Sequence, residues 1–371
     1  MNNKKKIKVA FVLGALSRGG TESLILDICR CADQCPFEVV CVYRNEGNLS
    51  DEFYKTNATL IHISKKGNIF KYIWNLRQTL VKEKIDIVHS QTPSNSMVLG
   101  VALLGLKIKL LTSFHGHSFA HANWLKRNFV YRISKKILCV SNNQKNYYQY
   151  HWHLPMANKI EVVHNGIDTS KFEQEGLIRL DFLNNSASSY NFVTVGSFCS
   201  GRSQDFLLKV ICLLQETLRE KKVKFYFVGG AFNGEEYLYQ QCEQFIRNNQ
   251  IDDLVIMLGV RNDVLALLQH VDGFLYSTKT DTFGIAIVEA MMSGVPVITN
   301  DYVVMKEVTH NGALAMLYKS NDIEDCSHKL LEFIDNIDEQ KAKANTIKDK
   351  VKNIYSIDNH INRLMNIYSN L

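Results

Sequence analysis

The feature that most constrains the fold is an alternation of buried-strand and helix patterns that runs along the chain and then starts again. In the first half, short apolar runs at 7–13, 37–43, 85–90, 109–115 and 136–141 alternate with helical patterns such as 21–32 and 70–84. A strand that is followed by an amphipathic helix before the next strand forms a parallel crossover rather than a hairpin. The first half therefore predicts a doubly wound parallel sheet.

The same pattern begins again at residue 190. Predicted strands lie at 190–198, 223–230, 254–259, 273–277 and 295–300, and predicted helices include 205–220 and 284–294. The fold class is thus α/β, with two Rossmann-like doubly wound units. Their boundary lies in 165–190, where the polar run 184–189 is the one stretch with the composition of a linker. We predict domains over 1–170 and 171–355, followed by a terminal amphipathic helix within 356–371.

Composition favours a globular protein that keeps its thiols reduced. The chain has 371 residues, of which 46% are hydrophobic, and its nine cysteines form no Cys-x-x-Cys pair. Such scattered cysteines are typical of a reducing compartment. The longest apolar run, 97–106, has ten residues, about half the length that crosses a bilayer, and the N-terminal segment lacks the pattern of a signal peptide. We therefore expect a cytoplasmic protein.

Charge is distributed unevenly. Residues 1–150 carry 22 Lys and Arg against 9 Asp and Glu, a net charge of +13, whereas the remainder has a net charge of −7. The segment 122–136 combines Trp124 and Phe129 with five cations and predicts a basic amphipathic helix. Such a helix could lie peripherally on an anionic membrane, or it could be a solvated helix packed on the sheet, and both interpretations stay open here.

The segment 277–301 carries the strongest chemical signal. Asp281 and Glu289 lie eight residues apart around Phe283-Gly284, where a helix is predicted to start. A helix N-terminus presents amide groups and a positive dipole end to a diphosphate, and Gly284 would allow close approach of the backbone. Glu289 could accept hydrogen bonds from a ribose diol. The alternative is that Asp281 and Thr282 merely cap a core helix.

Several segments in the same order resemble the family 4 glycosyltransferases. The acidic pair resembles the family's E-x7-E signature, 15–28 its glycine-rich first loop and helix, and 159–172 its entry into the second domain. Residues 195–208 resemble the diphosphate loop and 258–277 the base-binding stretch. The resemblance covers nearly the whole chain and implies the GT-B fold, in which two Rossmann-like domains enclose an interdomain cleft.

The resemblance also implies roles for individual residues. Glu289 would bind the ribose hydroxyls, and Asp281 would stand near the donor sugar in place of the first Glu. The remaining candidates would hold the diphosphate or approach the donor from the first domain: the amides of Phe283, Gly284 and Ile285, the Arg202 guanidinium, His115, Gly19 and Gly20.

Two positions depart from the family pattern. Ser197 stands where the family usually has Arg, and Asp281 is one methylene shorter than Glu. The loss of one charge-assisted hydrogen bond costs about 1.5–3 kcal/mol. Arg261 or Lys279 could supply the missing cation.

The activity implied by the resemblance is retaining transfer of a sugar from a nucleotide-sugar, which we expect to be a UDP-sugar. The acceptor would be a glycan or a lipid-linked glycan in capsule, exopolysaccharide or O-antigen synthesis. A GT-B enzyme of this kind requires no metal or other cofactor and no nucleic-acid partner, although the pair His115 and His117 leaves a zinc site as an alternative. In this fold the helix in 356–371 would cross back to the first domain; packing on the second domain is the alternative.

Alternatives on the same fold are a nucleotide-sugar epimerase, a phosphorylase, and a non-catalytic nucleotide-sugar binding protein. An epimerase would release free sugar without an acceptor, and a phosphorylase would need a lysine for pyridoxal phosphate. A binding protein would hold the donor without turnover.

Overall fold

The structure, a computed structural model, describes residues 6–64, 67–153, 158–172, 183 and 189–371. Contacts divide the chain into a first unit, made of Met1–Asp168 with Tyr355–Leu371, and a second unit, Thr169–Ile354. The polar run that the sequence suggests as the domain boundary lies outside the described residues, apart from Ser189.

The first unit contains a seven-stranded sheet with the order β3-β2-β1-β4-β5-β6-β7, in which every pairing is parallel. Its strands are β1 (Lys8–Ala15), β2 (Glu38–Asn45), β3 (Thr59–His62), β4 (Ile87–Ser90), β5 (Lys109–Phe114), β6 (Lys136–Cys139) and β7 (Ile160–Val162). The helices between them are α1 (Gly20–Arg30), α2 (Ser50–Tyr54), α3 (Ile69–Lys82), α4 (Pro93–Ala102), α5 (Trp124–Ile133) and α6 (Asn142–Trp152).

Strand β1 shows why this sheet is covered on both faces. Phe11 and Leu13 pack into the cluster that includes α1, whereas Ala10 and Val12 pack into the cluster that includes α3 and α4. Because side chains alternate along a strand, a nearly continuous apolar run supplies two cores at once. The apolar runs of the first half are therefore buried central strands, as the sequence predicts.

The second unit contains a six-stranded parallel sheet with the order β10-β9-β8-β11-β12-β13. Its strands are β8 (Tyr190–Val195), β9 (Val223–Val228), β10 (Val255–Gly259), β11 (Gly273–Tyr276), β12 (Val297–Asn300) and β13 (Met316–Tyr318). Its helices are α7 (Gln204–Leu213), α8 (Gln215–Glu220), α9 (Glu236–Asn248), α10 (Val264–Leu268), α11 (Ile285–Met292), α12 (Val303–Val308), α13 (Ile323–Asp335) and α14 (Ile337–Tyr355).

Two predicted helices have different limits in the structure. The pattern at 205–220 is two helices, α7 and α8, because Leu214 leaves helical geometry with φ of −95° and ψ of 7°. The basic helix predicted over 122–136 is shorter, since Ser134 is extended after α5 and Lys136 already belongs to β6. Three of its five cations, Lys126, Arg127 and Arg132, thus lie on the helix.

The C-terminal helix, α15 (Ile357–Ser369), belongs to the core of the first unit. Its buried residues Ile357, Ile361, Leu364 and Tyr368 recur at helical spacing and pack in the same cluster as α1. The chain that leads into this helix is pinned by a parallel bridge between Ile167 and Ser356. Gly166 makes this contact possible, because a Cβ there would lie 2.6 Å from Cβ of His360.

A buried histidine links α15 to the sheet. His89 on β4 is hydrogen bonded through Nδ1 to the Tyr368 hydroxyl at 2.6 Å and through Nε2 to Ser113 Oγ at 2.7 Å. His360 Nδ1 is bonded to the His164 carbonyl oxygen at 2.7 Å. Burial is the main cause that lowers the pKa of His89 to about 3 and the pKa of His360 to about 4, so both rings are neutral near pH 7.

Both sheets have a switch point where the strand order reverses. In the first unit it lies between β1 and β4, and in the second between β8 and β11. Ligands of open parallel sheets bind beyond the carboxyl ends of the strands at this point. The loops that follow these four strands are therefore where a site is expected.

The neutral histidines predict acid sensitivity. As the pH falls from about 6.5 to about 4, unfolded imidazoles bind protons while His89 and His360 in the folded state do not, so the free energy of unfolding decreases. Each imidazole whose pKa is lowered by folding reduces the free energy of unfolding by up to about 1.4 kcal/mol per pH unit over this window. In urea titrations, His89→Gln should be less stable than wild type at pH 7 but should lose less stability between pH 6.5 and 4. His270→Gln, an exposed control, should keep the wild-type slope, and equal slopes for all three proteins would contradict the assignment.

Candidate active site

Two loops meet at the switch point of the second sheet. The first follows β8 and carries Arg202, and the second follows β11 and carries Asp281. An antiparallel bridge joins Arg202 to Thr278, and the Lys279 amide donates to the Gly201 carbonyl oxygen at 2.9 Å. These backbone contacts hold the two loops together as one structure.

The loops bring a cation and an acid into direct contact. Arg202 Nη2 lies 3.1 Å from Asp281 Oδ1, and the Tyr276 hydroxyl donates to Asp281 Oδ2 at 2.5 Å. The Arg202 guanidinium also lies 5.2 Å from the centroid of the Tyr276 ring, which is within range of a cation–π contact. One tyrosine therefore orients both members of the pair.

Burial and charge act on Asp281 in opposite directions. Its side chain is 12% exposed, and burial raises the pKa of the carboxyl while the Arg202 guanidinium and Thr278 oppose that rise. A guanidinium has five donor hydrogens, so Arg202 can bind an anion while it keeps a contact with Asp281. The pair forms a polar site at the edge of the sheet that is partly shielded from water.

Helix α11 starts at this site, and its N-cap is Gly284 with φ of +89°. The capping alternative for Asp281 and Thr282 is therefore wrong, because neither occupies the cap position. A positive φ favours glycine, and a Cβ on Gly284 would lie 2.9 Å from Met305 Cε and 3.9 Å from Asp281 Oδ2. The amides of Phe283, Gly284 and Ile285 thus lie where a helix N-terminus meets the acidic side chain.

Glu289 is the fifth residue of α11 and is partly exposed, whereas Ile287, Val288 and Ala290 on the same helix are buried. An amphipathic position of this kind presents a carboxylate beside the apolar face that anchors the helix. Glu289 therefore lies one turn after the N-terminus of α11.

The two alternative cations have different surroundings. Arg261, which follows β10, is held by the Asp263 carboxylate through bonds of 2.8 and 2.5 Å. Lys279 lies on the Asp281 loop with a half-exposed side chain, and its Nζ is 4.0 Å from the Asp205 carboxylate. Ser197 is exposed at the start of the neighbouring loop. Lys279 thus belongs to the loop pair itself, whereas Arg261 is engaged by Asp263.

The candidates of the first unit lie beyond β1 and β5. Gly19 is the N-cap of α1, Gly20 is the first residue of that helix, and a Cβ on Gly19 would meet Glu22 Oε2 at 2.6 Å. His115 follows β5, and its Nε2 is hydrogen bonded to Gln91 Oε1 at 3.0 Å. Burial is the main cause that lowers the pKa of His115 to about 4, so the ring is neutral at physiological pH.

A small cavity of about 10 Å³ is lined by His115 together with Leu24 of α1, His89, Gln91 and His360. The His115 side chain therefore faces a cavity whose walls are formed by residues of the first unit. His117 has both ring nitrogens buried without a hydrogen-bond partner in the described residues. Within the described ranges, no group of three or more His, Cys, Asp or Glu residues is placed to hold a metal ion.

The sequence did not identify four residues that organise the site. Tyr276 ends β11, and Thr278 and Asn300 exchange two hydrogen bonds of 3.1 and 2.8 Å that fix the Asp281 loop to the end of β12. Gln91, the partner of His115, follows β4. Each of these residues lies at the end of a predicted strand or directly after it. This position is the one sign in the sequence that they could take part in a site.

Comparisons with known proteins identify the family of the chain. Residues 18–171 match the family model described as Glycosyltransferase Family 4, and residues 189–336 match the model Glycosyl transferases group 1. The chain belongs to the family 4 glycosyltransferases. It is an enzyme of the hexosyltransferase type.

Individual relatives of this transferase resemble it along most of its length. It is 22% identical to the O-antigen biosynthesis glycosyltransferase WclY of Escherichia coli, over 81% of this chain and 82% of that protein. It is 23% identical to the UDP-Gal:alpha-D-GlcNAc-diphosphoundecaprenol alpha-1,3-galactosyltransferase of E. coli, over 98% and 97% of the two chains.

The fold of the transferase is also known from solved structures. Anabaena HepE, solved in complex with UDP and glucose, matches 98% of this chain and 100% of its own with a TM-score of 0.82 and 17% identity. The two doubly wound parallel sheets and this likeness confirm the predicted GT-B fold.

The contact between Tyr276 and Asp281 predicts a stability cost. Tyr276→Phe should lower the free energy of unfolding by about 1.5–3 kcal/mol, because it removes a hydrogen bond to a largely buried carboxylate. The matched control is Tyr226→Phe, which removes a longer bond of 3.3 Å to the neutral Asn191 side chain and should cost about 0.5–1.5 kcal/mol. Urea titration measures both values. A loss at Tyr276 no larger than the loss at Tyr226 would contradict the proposed strength of this contact.

Proposed function

We propose that this enzyme transfers a sugar from a UDP-sugar, with retention of anomeric configuration, to a glycan or lipid-linked acceptor in cell-surface polysaccharide synthesis. The single observation that carries the proposal is the joined loop pair of the second unit. It places Arg202, Asp281 and the N-terminus of α11 together at a topological switch point.

The names of similar proteins support the choice of donor and acceptor. HepE was solved with UDP and glucose, and the E. coli galactosyltransferase is named for UDP-Gal and for an acceptor linked to diphosphoundecaprenol. WclY is named for O-antigen biosynthesis. A UDP-sugar and a lipid-linked glycan are therefore the substrates to test first.

In this proposal the diphosphate binds to Arg202 and to the amides of Phe283, Gly284 and Ile285. These groups stabilise the charge that develops on the leaving group when the bond between the sugar and the diphosphate breaks. Asp281, which forms an ion pair with Arg202, would face the donor sugar. Lys279 on the same loop would compensate for Ser197, while Arg261 stays paired with Asp263.

The first unit would contribute Gly19, Gly20 and His115 to the donor sugar. Because the pKa of His115 is lowered to about 4, the ring would act as a neutral hydrogen-bond partner rather than as a cation. The Gln91 side chain orients it. We assign no general base.

The decisive experiment measures turnover of UDP-sugars in the presence of candidate acceptors. Glu289→Ala should lower kcat/KM at least about 100-fold, because two hydrogen bonds to the ribose diol would be lost. Glu216→Ala, an exposed acid on α8, is the control and should retain wild-type activity. Full activity of Glu289→Ala would overturn the site assignment.

The same assay separates the alternatives. Release of free sugar without an acceptor would indicate an epimerase, and donor binding without turnover would indicate a non-catalytic protein. The anomeric configuration of the product, measured by NMR, tests retention.

We also propose that α5 contacts an anionic membrane. On this helix Val130 is buried and Ile133 is partly buried, and Ile133 and Phe129 approach α4 at Gly100, whereas Trp124 and Leu125 are 60% and 70% exposed. No acidic residue occurs between Asp86 and Glu161. The helix therefore packs on the unit with one face and presents apolar and basic side chains with the other. In the described residues, no helix has the length and apolar character needed to cross a bilayer.

Vesicle co-sedimentation tests this contact. The protein should bind phosphatidylglycerol vesicles at low salt and should bind phosphatidylcholine vesicles weakly, and the double variant Trp124→Ala with Leu125→Ala should reduce binding several-fold. Leu213→Ala, an equally exposed leucine on α7 of the second unit, should leave binding unchanged. Equal binding of the double variant and of Leu213→Ala, or no binding of wild type to either lipid, would contradict the membrane proposal.

A further inference from the structure

The small cavity beside His115 is lined by a polar side chain that lacks a hydrogen-bond partner. The cavity has a volume of about 10 Å³, which is close to the space that one water molecule requires. Asn165, which follows β7, lines it and is 6% exposed. Its Oδ1 atom is buried and accepts no hydrogen bond from any residue that the structure describes. Because a buried acceptor without a donor is costly, this amide oxygen needs a donor.

His360 contributes a second acceptor to the same cavity. The residue is 7% exposed, and its Nδ1 lies 2.7 Å from the His164 carbonyl oxygen. A carbonyl oxygen can only accept a hydrogen bond, so Nδ1 carries the proton of the neutral ring and Nε2 carries the lone pair. Within the described ranges, no group donates a hydrogen bond to Nε2. Two of the residues that line the cavity therefore have acceptors without donors.

The segment that carries Asn165 is held against the start of α15. Ile167 makes two backbone hydrogen bonds of 2.9 Å with the residues that flank Ser356. On the same segment, a Cβ on Gly166 would lie 2.6 Å from Cβ of His360. Asn165 and His360 are thus neighbours in space. A water molecule is the smallest group with two donor hydrogens, and one molecule can therefore satisfy both acceptors.

His115 lines the cavity too, and Gln91 fixes its tautomer. Gln91 Nε2 donates to the His89 carbonyl oxygen at 3.2 Å, so Gln91 Oε1 is the atom that lies 3.0 Å from His115 Nε2. An amide oxygen only accepts, and the proton of the neutral His115 ring is therefore on Nε2. This bond fixes which nitrogen is protonated, whereas the contents of the cavity limit how far the ring can move.

The acceptors persist at physiological pH because the rings around the cavity are neutral. Burial is the largest cause that lowers the pKa of His115 and of His360 to about 4. His360 lowers the pKa of His115 further, and the charge of Arg363 acts in the same direction on His360, whereas the hydrogen bond to His164 opposes it. The lone pair of His360 Nε2 therefore stays available for a water hydrogen.

We propose that Asn165 and His360 bind one water molecule in this cavity and thereby act as positioning residues for His115. The inference rests on the proposed function for the contact between His115 and the donor sugar. The water donates one hydrogen to Asn165 Oδ1 and the other to His360 Nε2, and it occupies the space into which the His115 ring would otherwise shift. The C-terminal helix, which carries His360, thus contributes to the site as well as to the core.

Substitutions at His360 separate the positioning of His115 from the packing of α15. His360→Asn keeps a donor for the His164 carbonyl oxygen and loses the acceptor for the water, whereas His360→Gln places an amide oxygen near the position of Nε2. With saturating UDP-sugar and acceptor, His360→Asn should lower kcat about tenfold or more, and His360→Gln should retain most of the wild-type kcat. If His360 served packing alone, activity would follow the bond to His164 and His360→Asn would be the more active variant. That result would overturn the inference.

Asn165→Leu removes the other acceptor and should lower kcat to a similar extent. Its affinity for UDP, measured by isothermal titration, should equal that of wild type, because the proposed UDP-binding groups belong to the second unit. The matched control is Asn362→Leu, at an exposed position of α15, which should keep the wild-type kcat. Equal kcat values for Asn165→Leu and Asn362→Leu would contradict the proposed role of Asn165.

High-resolution crystal structures give a readout that does not depend on turnover. Wild type should show one water molecule within hydrogen-bond distance of Asn165 Oδ1 and His360 Nε2, and in Asn165→Leu this water should be lost and the His115 ring displaced. A wild-type cavity without water, or an unmoved His115 ring in Asn165→Leu, would refute the inference. Failure to turn over UDP-sugars by a wild-type protein that contains this water would count against the proposed function alone.

Discussion

Parallel pairing requires the chain to return to the same end of a sheet after every strand. In both units each return is made through a helix or a long connection, so all carboxyl ends of the strands lie at one edge. Residues that are far apart in sequence, such as Arg202 after β8 and Asp281 after β11, become neighbours because these two strands flank the switch point. The same constraint places Gly19, Gln91 and His115 at one edge of the first sheet.

Burial determines the chemical state of the groups at these edges. The Asp281 carboxyl keeps a partner cation and a tyrosine donor, whereas the His89, His115 and His360 rings avoid the desolvation cost by remaining neutral, with their pKa lowered to between about 3 and about 4.

Membership of family 4 and the GT-B fold define the class of chemistry, and the residues of this chain define how it departs from the family pattern. Ser197 stands where the family usually has Arg, and Lys279 lies on the loop that is bridged to the Arg202 loop. Asp281 is shorter than the usual Glu, and Tyr276 contacts it directly at 2.5 Å. Each departure is thus accompanied by another polar group on a neighbouring segment, Lys279 in the first case and Tyr276 in the second.

The sequence by itself determined the α/β class and the two doubly wound units, because apolar periodicity is a local property of the chain. It could not determine that Gly284 rather than Asp281 caps α11, or that Tyr276 contacts both Arg202 and Asp281. Nor could it determine that α15 packs on the first unit, where His89 and Tyr368 are hydrogen bonded across 279 residues. These features depend on contacts between segments that are distant in sequence. Only the tertiary structure decides which of their side chains are in contact.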